Sequence, residues 1–286
     1  MVRGFRLLNE KGQEFSMMDI HNYCLLTEPS GLGLSYSAEY EKLGYSFIQN
    51  MRNIEQGQIT GIVNFLEYDN YRKFINFVET AENLRIVYKI PYKSGTREYF
   101  KDIEINSLTK SEIQENGIIS ESITIDCLSL WYEEVDLTYN IVKSEVEDLI
   151  RWDFRWDSRF DGTADSEINI VNQGHVEAPI VVEINGRVIN PYIKLSIDGE
   201  EYQRVTFNVE IAEYEKLLYG TKENDFYILK QNTDGTKQSL FNLDVINFEN
   251  DNVIRIPRNR SCKLQIYAEN EISDIKATIY IYYKSV

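Results

Sequence analysis

The residues able to do chemistry are few and scattered. Histidine occurs twice, at His21 and His175, and cysteine three times, at Cys24, Cys127 and Cys262. A zinc site needs three or four nitrogen and sulfur ligands converging. Neither imidazole lies near a second histidine, and no CxxC pair occurs, so zinc chemistry has no support. His21 and Cys24 stand close enough to suggest a nucleophile and base, but nothing marks a third group to orient the base. Buried, structural thiols are the expectation for all three cysteines. Asp157-Ser-Arg159-Phe-Asp161-Gly162-Thr-Ala-Asp165-Ser-Glu167 comes nearest to a calcium loop. It fails because Arg159 puts a cation where a ligand oxygen belongs, and Ile168 stands where the bidentate glutamate should be. Asp–Arg pairing around a bend is the better reading.

Phosphate loops are equally absent: Gly31-Leu-Gly33 lacks a third glycine and a following helix. Glu133-Glu134 could be drafted into glycoside hydrolysis, yet with 46 acidic residues such pairs arise by chance. Trp152 and Trp156 are the remaining candidates. They could stack on sugar rings, or they could anchor the start of a domain on its own core. The expectation is therefore no catalytic residue, no metal and no cofactor.

The elements that would have to hold a site are mostly strands. Twenty tyrosines and 13 phenylalanines against 3 tryptophans suit pleated, half-exposed surfaces and interfaces. Lys101-Asp-Ile103-Glu-Ile105 and Ser120-Glu-Ser-Ile123-Thr-Ile125-Asp-Cys127 alternate with period two. One helix stands out from Asp69, where Phe74, Ile75, Phe77, Val78 and Ala81 recur at helical spacing, with Asp69 or Asn70 as N-cap. Residues 31–40, small and aromatic in mixture, read as an extended arm or hairpin. Leu32, Leu34, Tyr36, Tyr40 and Tyr45 are its candidate contact residues. From residue 166 onward, strand candidates alternate with Asn185-Gly186, Asp198-Gly199 and Asp234-Gly235 turns and no helix, the pattern of a β-sandwich or jelly roll. The predicted division is a domain of residues 1–143 followed by one of 144–286.

Composition excludes more than it names. The formal charge is −16, acidic in both halves, and no basic stripe exists for sequence-specific nucleic-acid binding. Unpaired, widely spaced cysteines point to a reducing compartment. No apolar run approaches the roughly 20 residues needed to span a bilayer, and the first residues lack an apolar secretory core.

The order of segments resembles the distal tail protein family of long-tailed phages of Gram-positive hosts. The similarity is carried by Phe5-Arg-Leu-Leu-Asn-Glu-Lys-Gly12, Thr27-Glu-Pro29-Ser-Gly31-Leu-Gly33, Gln56-Gly-Gln-Ile59-Thr-Gly-Ile-Val-Asn-Phe65 and Tyr71-Arg-Lys-Phe74-Ile-Asn-Phe77. Trp152-Asp-Phe-Arg-Trp156-Asp and Asn172-Gln-Gly174-His-Val-Glu-Ala178-Pro179 continue it in the second half. The resemblance implies an α+β, mainly β chain: a ring-forming, β-barrel-like N-terminal domain with one principal helix and an extended hairpin, and a galectin-like or jelly-roll β-sandwich after it. It also implies a structural, non-enzymatic virion protein, assembled in the bacterial cytoplasm. Such a protein forms a ring, usually of six copies, between the major tail-tube protein and the tail-associated hub or lysin, and carries receptor-binding proteins. The alternative is a carbohydrate-binding module whose sandwich recognises host cell-wall glycan.

Overall fold

A computed structural model describes residues 4–19, 24–113, 117–138, 166–241, 253–268 and 274–286. The chain forms two compact units, Met1–Glu133 with Tyr282–Val286, and Glu134–Ile281. The boundary expected near residue 143 lies outside the described residues.

The N-terminal unit contains β1 (Gly4–Asn9), β2 (Glu14–Ser16), β3 (Met18–Asp19), β4 (Cys24–Ser30), β5 (Tyr36–Leu43), β6 (Ser46–Ile54), β7 (Gln58–Phe65), α1 (Tyr68–Glu79), β8 (Leu84–Tyr92), β9 (Gly95–Leu108), β10 (Ile119–Cys127) and the start of β11 (Trp131–Thr138). Its sheet runs β1-β8-β9-β10-β7-β4, antiparallel at each step. The segment Glu14–Asp19 then pairs with β1 through β2 and with β4 through β3, which closes the sheet into a barrel. At the crossover the Met17 amide donates to the Phe5 carbonyl at 2.9 Å, and the Met17 carbonyl accepts from the Leu26 amide at 2.7 Å. Closure removes the unpaired edges that an open sheet of this size would expose.

Alternation along the strands fills the interior. On β10, Ile119, Ile123, Ile125 and Cys127 point inward, and Leu7, Ile59, Val63 and Ile86 meet them from neighbouring strands. The helix packs on this barrel by the apolar stripe its spacing predicts. Phe74 is fully buried between Phe15 and Phe65, each 5.5 Å away between ring centroids. Its start differs from expectation: Glu67 is the N-cap, with no side-chain cap bond, and Asp69 sits inside the first turn, where its charge favours the amino end.

The C-terminal unit includes β12 (Ser166–Val171), β13 (Ala178–Asn185), β14 (Val188–Ile189), β15 (Tyr192–Ile197), β16 (Glu200–Thr206), β17 (Glu210–Ile211), β18 (Lys216–Lys222), β19 (Asp225–Gln231), β20 (Lys237–Ser239), β21 (Arg255–Ile256), β22 (Ser261–Tyr267) and most of β23 (Asp274–Tyr283). One sheet runs β20-β19-β18-β13-β23 and the other β12-β22-β15-β16, so the unit is the expected β-sandwich. Ile180, Val182, Ile184, Leu217 and Ile228 are buried from the first sheet, and Ile193, Leu195, Val205, Leu264 and Ile266 from the second. Phe207 and Tyr219 meet edge-on at 5.6 Å. The Asp198-Gly199 turn has positive φ at both residues, 53° and 87°, as a type I′ hairpin requires. Among the described residues no helix is long and apolar enough to cross a membrane.

Candidate assembly site

Among the described residues the N-terminal unit carries one pair of strands that joins no other sheet. Strands β5 and β6 pair only with each other among the described residues, from Tyr36↔Ile54 at the root to Leu43↔Ser46 at the tip. At roughly 3.4 Å per residue the eight-residue β5 is about 27 Å long. Gly44, with φ 64°, takes the first position of the two-residue turn and Tyr45 the second, the arrangement of a type II′ turn.

The chain reaches this hairpin through a constrained exit. Gly31 has φ 79°, and a Cβ there would lie 1.8 Å from the Gln58 carbonyl oxygen, so only glycine fits beside β7. The Trp131 indole donates to the Leu32 carbonyl at 3.0 Å, and the Leu32 side chain packs against the barrel core. Beyond it the Ser35 hydroxyl donates to Glu55 Oε2 at 2.6 Å, while the Glu55 amide donates to the Ser35 carbonyl at 3.1 Å. At the first rung the Arg52 guanidinium lies 3.6 Å from the Tyr36 ring centroid. This geometry favours attraction between cation and ring.

Outward from the root the hairpin is apolar where water should be. Tyr40 is 62 % exposed, Leu43 64 % and Phe47 69 %, and Tyr45 at the tip is fully exposed. Register puts Tyr36, Tyr40, Phe47 and Ile54 on one face, and Leu43, Ile48 and Met51 on the other. An isolated two-stranded ribbon is at best marginally stable in water. A contiguous uncovered apolar surface marks an interaction site. What the element offers is side chains to bury and two backbone edges that pair with no strand among the described residues.

The five contact residues expected from sequence separate by role. Tyr40 and Tyr45 stand on the exposed outer part, Tyr36 occupies the root, and Leu32 and Leu34 are half-buried on the approach. Sequence reading missed Leu43, Phe47, Ile48, Met51 and Ile54. The signal was present as bulky residues on both sides of Gly44-Tyr45, which only a hairpin without a core beneath it would leave uncovered.

The chemistry-bearing candidates remain apart. Cys24, Cys127 and Cys262 are free and buried, and burial pushes the Cys24 thiol up to about 12. Glu121 is fully buried, but its carboxylate accepts from Thr109 Oγ1 at 2.9 Å, the Ser111 amide at 2.6 Å and Ser111 Oγ at 2.9 Å. Three donors on one acid fix the segment 109–111 that follows β9. His21, Trp152, Trp156 and residues 157–165 of the calcium-like stretch lie outside the described residues. Among the described residues no group of three or more His, Cys, Asp or Glu side chains is placed to hold a metal ion.

Residues 4–128 match the model of the family described as distal tail protein, N-terminal domain. The distal tail proteins of Lactococcus phage SK1 and Lactococcus phage p2 are each 27% identical to the chain over 150 residues, 50% of this chain and 50% of the relative. The chain thus spans about half the length of the curated relatives it matches. A chain of the phage P2 baseplate, in its activated conformation with Ca, superposes with a TM-score of 0.71 at 19% identity, covering 100% of both chains. The crystal structure of the SPP1 Dit protein gives 0.56 at 11%, covering 96% of this chain and 97% of that one. Residues 4–128, less than half of the chain, are thus similar to the distal tail protein N-terminal domain family, and the whole chain shares the fold of these two solved tail proteins.

Proposed function

We propose that this chain is a structural virion protein that closes into a ring, of six copies, at the distal end of a long non-contractile phage tail. In that place it joins the major tail-tube protein to the tail-tip hub and carries the host-adsorption device. The observation that carries this reading is the hairpin β5–β6: an N-terminal unit with a closed barrel presents its most exposed large apolar side chains on one pair of strands that, among the described residues, joins no other sheet. Burying Tyr40, Leu43, Tyr45, Phe47 and Met51 on a neighbouring copy would remove several hundred Å² of apolar surface from water, at about 25 cal/mol per Å². A contact in which each copy gives an arm to the next is heterologous, and such contacts close into rings when the rotation permits.

Analytical ultracentrifugation of the purified protein tests this. Wild type should associate with rising concentration to a closed species, seen as six-fold rings by negative-stain electron microscopy. The double variant Tyr45→Ser, Phe47→Ser should remain monomeric with an unchanged melting temperature. A wild-type protein that stays monomeric at high concentration, alone and with tail-tube or hub protein, would sink the proposal.

A further inference from the structure

The last strand of the sequence does not end in the sandwich. Its final residues, with those that follow, form the segment Tyr282–Val286 of the N-terminal unit. Tyr282 lies edge-on to Tyr132 at 5.4 Å between centroids. The Tyr283 hydroxyl donates to Glu133 Oε2 at 2.6 Å, across 150 positions of sequence, and its ring meets Tyr99 edge-on at 5.5 Å. Tyr283 and Val286 both pack against the barrel core. Between them Lys284 reaches the hairpin: its ammonium lies 5.9 Å from the centroid of Tyr36, the ring that also carries the Arg52 guanidinium. One short segment thus ties the barrel core to the first rung of the hairpin.

We propose that Tyr282–Val286 is a brace that fixes the hairpin's root, and that self-association depends on it; the proposal rests on the reading of the hairpin as the self-association arm. A two-stranded ribbon with a loose root samples many directions, and a partner must select one, which weakens binding by the fraction of arms correctly aimed. Holding the Tyr36 ring from a segment that is itself packed on the barrel core reduces that loss in advance. Order of synthesis follows too. The hairpin is made early and its brace only after the whole sandwich, so a chain that breaks off within the C-terminal unit carries an unbraced arm and joins rings poorly.

The experiment compares Lys284→Ala, Tyr283→Phe, Lys284→Arg and a chain stopped after Ile281 with wild type and with the Tyr45→Ser, Phe47→Ser control. Sedimentation gives the midpoint concentration of association. Limited trypsin digestion gives the rate of cutting after Arg52, at the root, relative to Lys42, nearer the tip. Lys284→Ala and Tyr283→Phe should each raise the midpoint about fivefold, the scale of one exposed cation–ring or hydrogen-bond contact. They should also speed cutting after Arg52 relative to Lys42, while Lys284→Arg retains wild-type behaviour. If both point variants associate at the wild-type midpoint with unchanged cutting, the brace is refuted, and a monomeric Tyr45→Ser, Phe47→Ser control shows that the arm itself survives. Should wild type never associate, both readings fall together. If the stopped chain loses its barrel, seen as a lost Trp131 near-ultraviolet signal, the two point variants alone decide.

Discussion

Lys101 is a cation set among apolar neighbours. It is 5 % exposed, its ammonium lies 4.7 Å from the Trp131 ring centroid, and among the described residues no carboxylate pairs with it. Burial lowers its pKa from the ordinary 10.5, against a smaller opposing pull from the Cys127 thiol, which burial itself pushes up. A base with a lowered folded pKa gives its proton up earlier in the folded chain than in the unfolded one. The unfolded state therefore binds more protons between the lowered value and 10.5, and stability rises with pH across that window. Near pH 10 the tyrosines begin to work in the opposite sense, because burial raises Tyr99 and Tyr132 and their protonated forms are favoured only in the folded state. Lys101→Met should stabilise the barrel by about 1 kcal/mol at pH 7, since an apolar chain of similar length removes an uncompensated buried charge. Urea titrations at pH 7 and 9 would show the gain and the loss of pH dependence. A variant less stable than wild type at both would mean that the cation–ring contact outweighs desolvation.

At the scale of elements, the hairpin depends on its turn. Gly44 has open space around a would-be Cβ, so a side chain there meets only the backbone penalty of φ 64°. That penalty is about 1–2 kcal/mol and greatest for β-branched residues. Gly44→Val should thus loosen the hairpin and weaken association while leaving the melting temperature of the barrel within a degree. An equal loss of melting temperature would show that the hairpin supports the barrel. Legibility followed the same logic of what packs on what. The helix was readable because Phe74, Phe77 and Val78 must all face one core, whereas its first residue was not, because Glu67 caps without a side-chain bond. Strands β13, β15 and β22 were readable from alternation against a buried layer. Strand β18 was not, since Gly220 in Leu217-Leu-Tyr-Gly-Thr interrupts the pattern. The glycine is there because the Tyr227 ring crosses it, 2.5 Å from where a Cβ would stand. Strand β6 escaped for the opposite reason, being apolar with no buried layer to alternate against.

For the whole molecule, charge and shape set the conditions of association. Each copy carries −16, yet the hairpin is balanced, with Glu39 and Glu41 against Lys42 and Arg52. The net repulsion between copies is thus not carried by the element that would join them. Raising salt shortens the screening length from about 14 Å at 0.05 M to about 4 Å at 0.5 M. The association midpoint should then fall severalfold, and a midpoint that rises with salt would mean that ion pairs, not apolar burial, hold the copies. The barrel's own integrity has a different origin. Strand β9 spans 14 residues, pairing with β8 over its first part and with β10 over its second, while Phe100 pairs with Tyr132. No neighbour can peel away without exposing this shared spine, so partial opening gains little chain freedom for the hydrogen bonds it breaks. Amide protons near Ile103 should accordingly exchange with deuterium only when the entire barrel melts, which makes them a clock for global unfolding and not for local breathing.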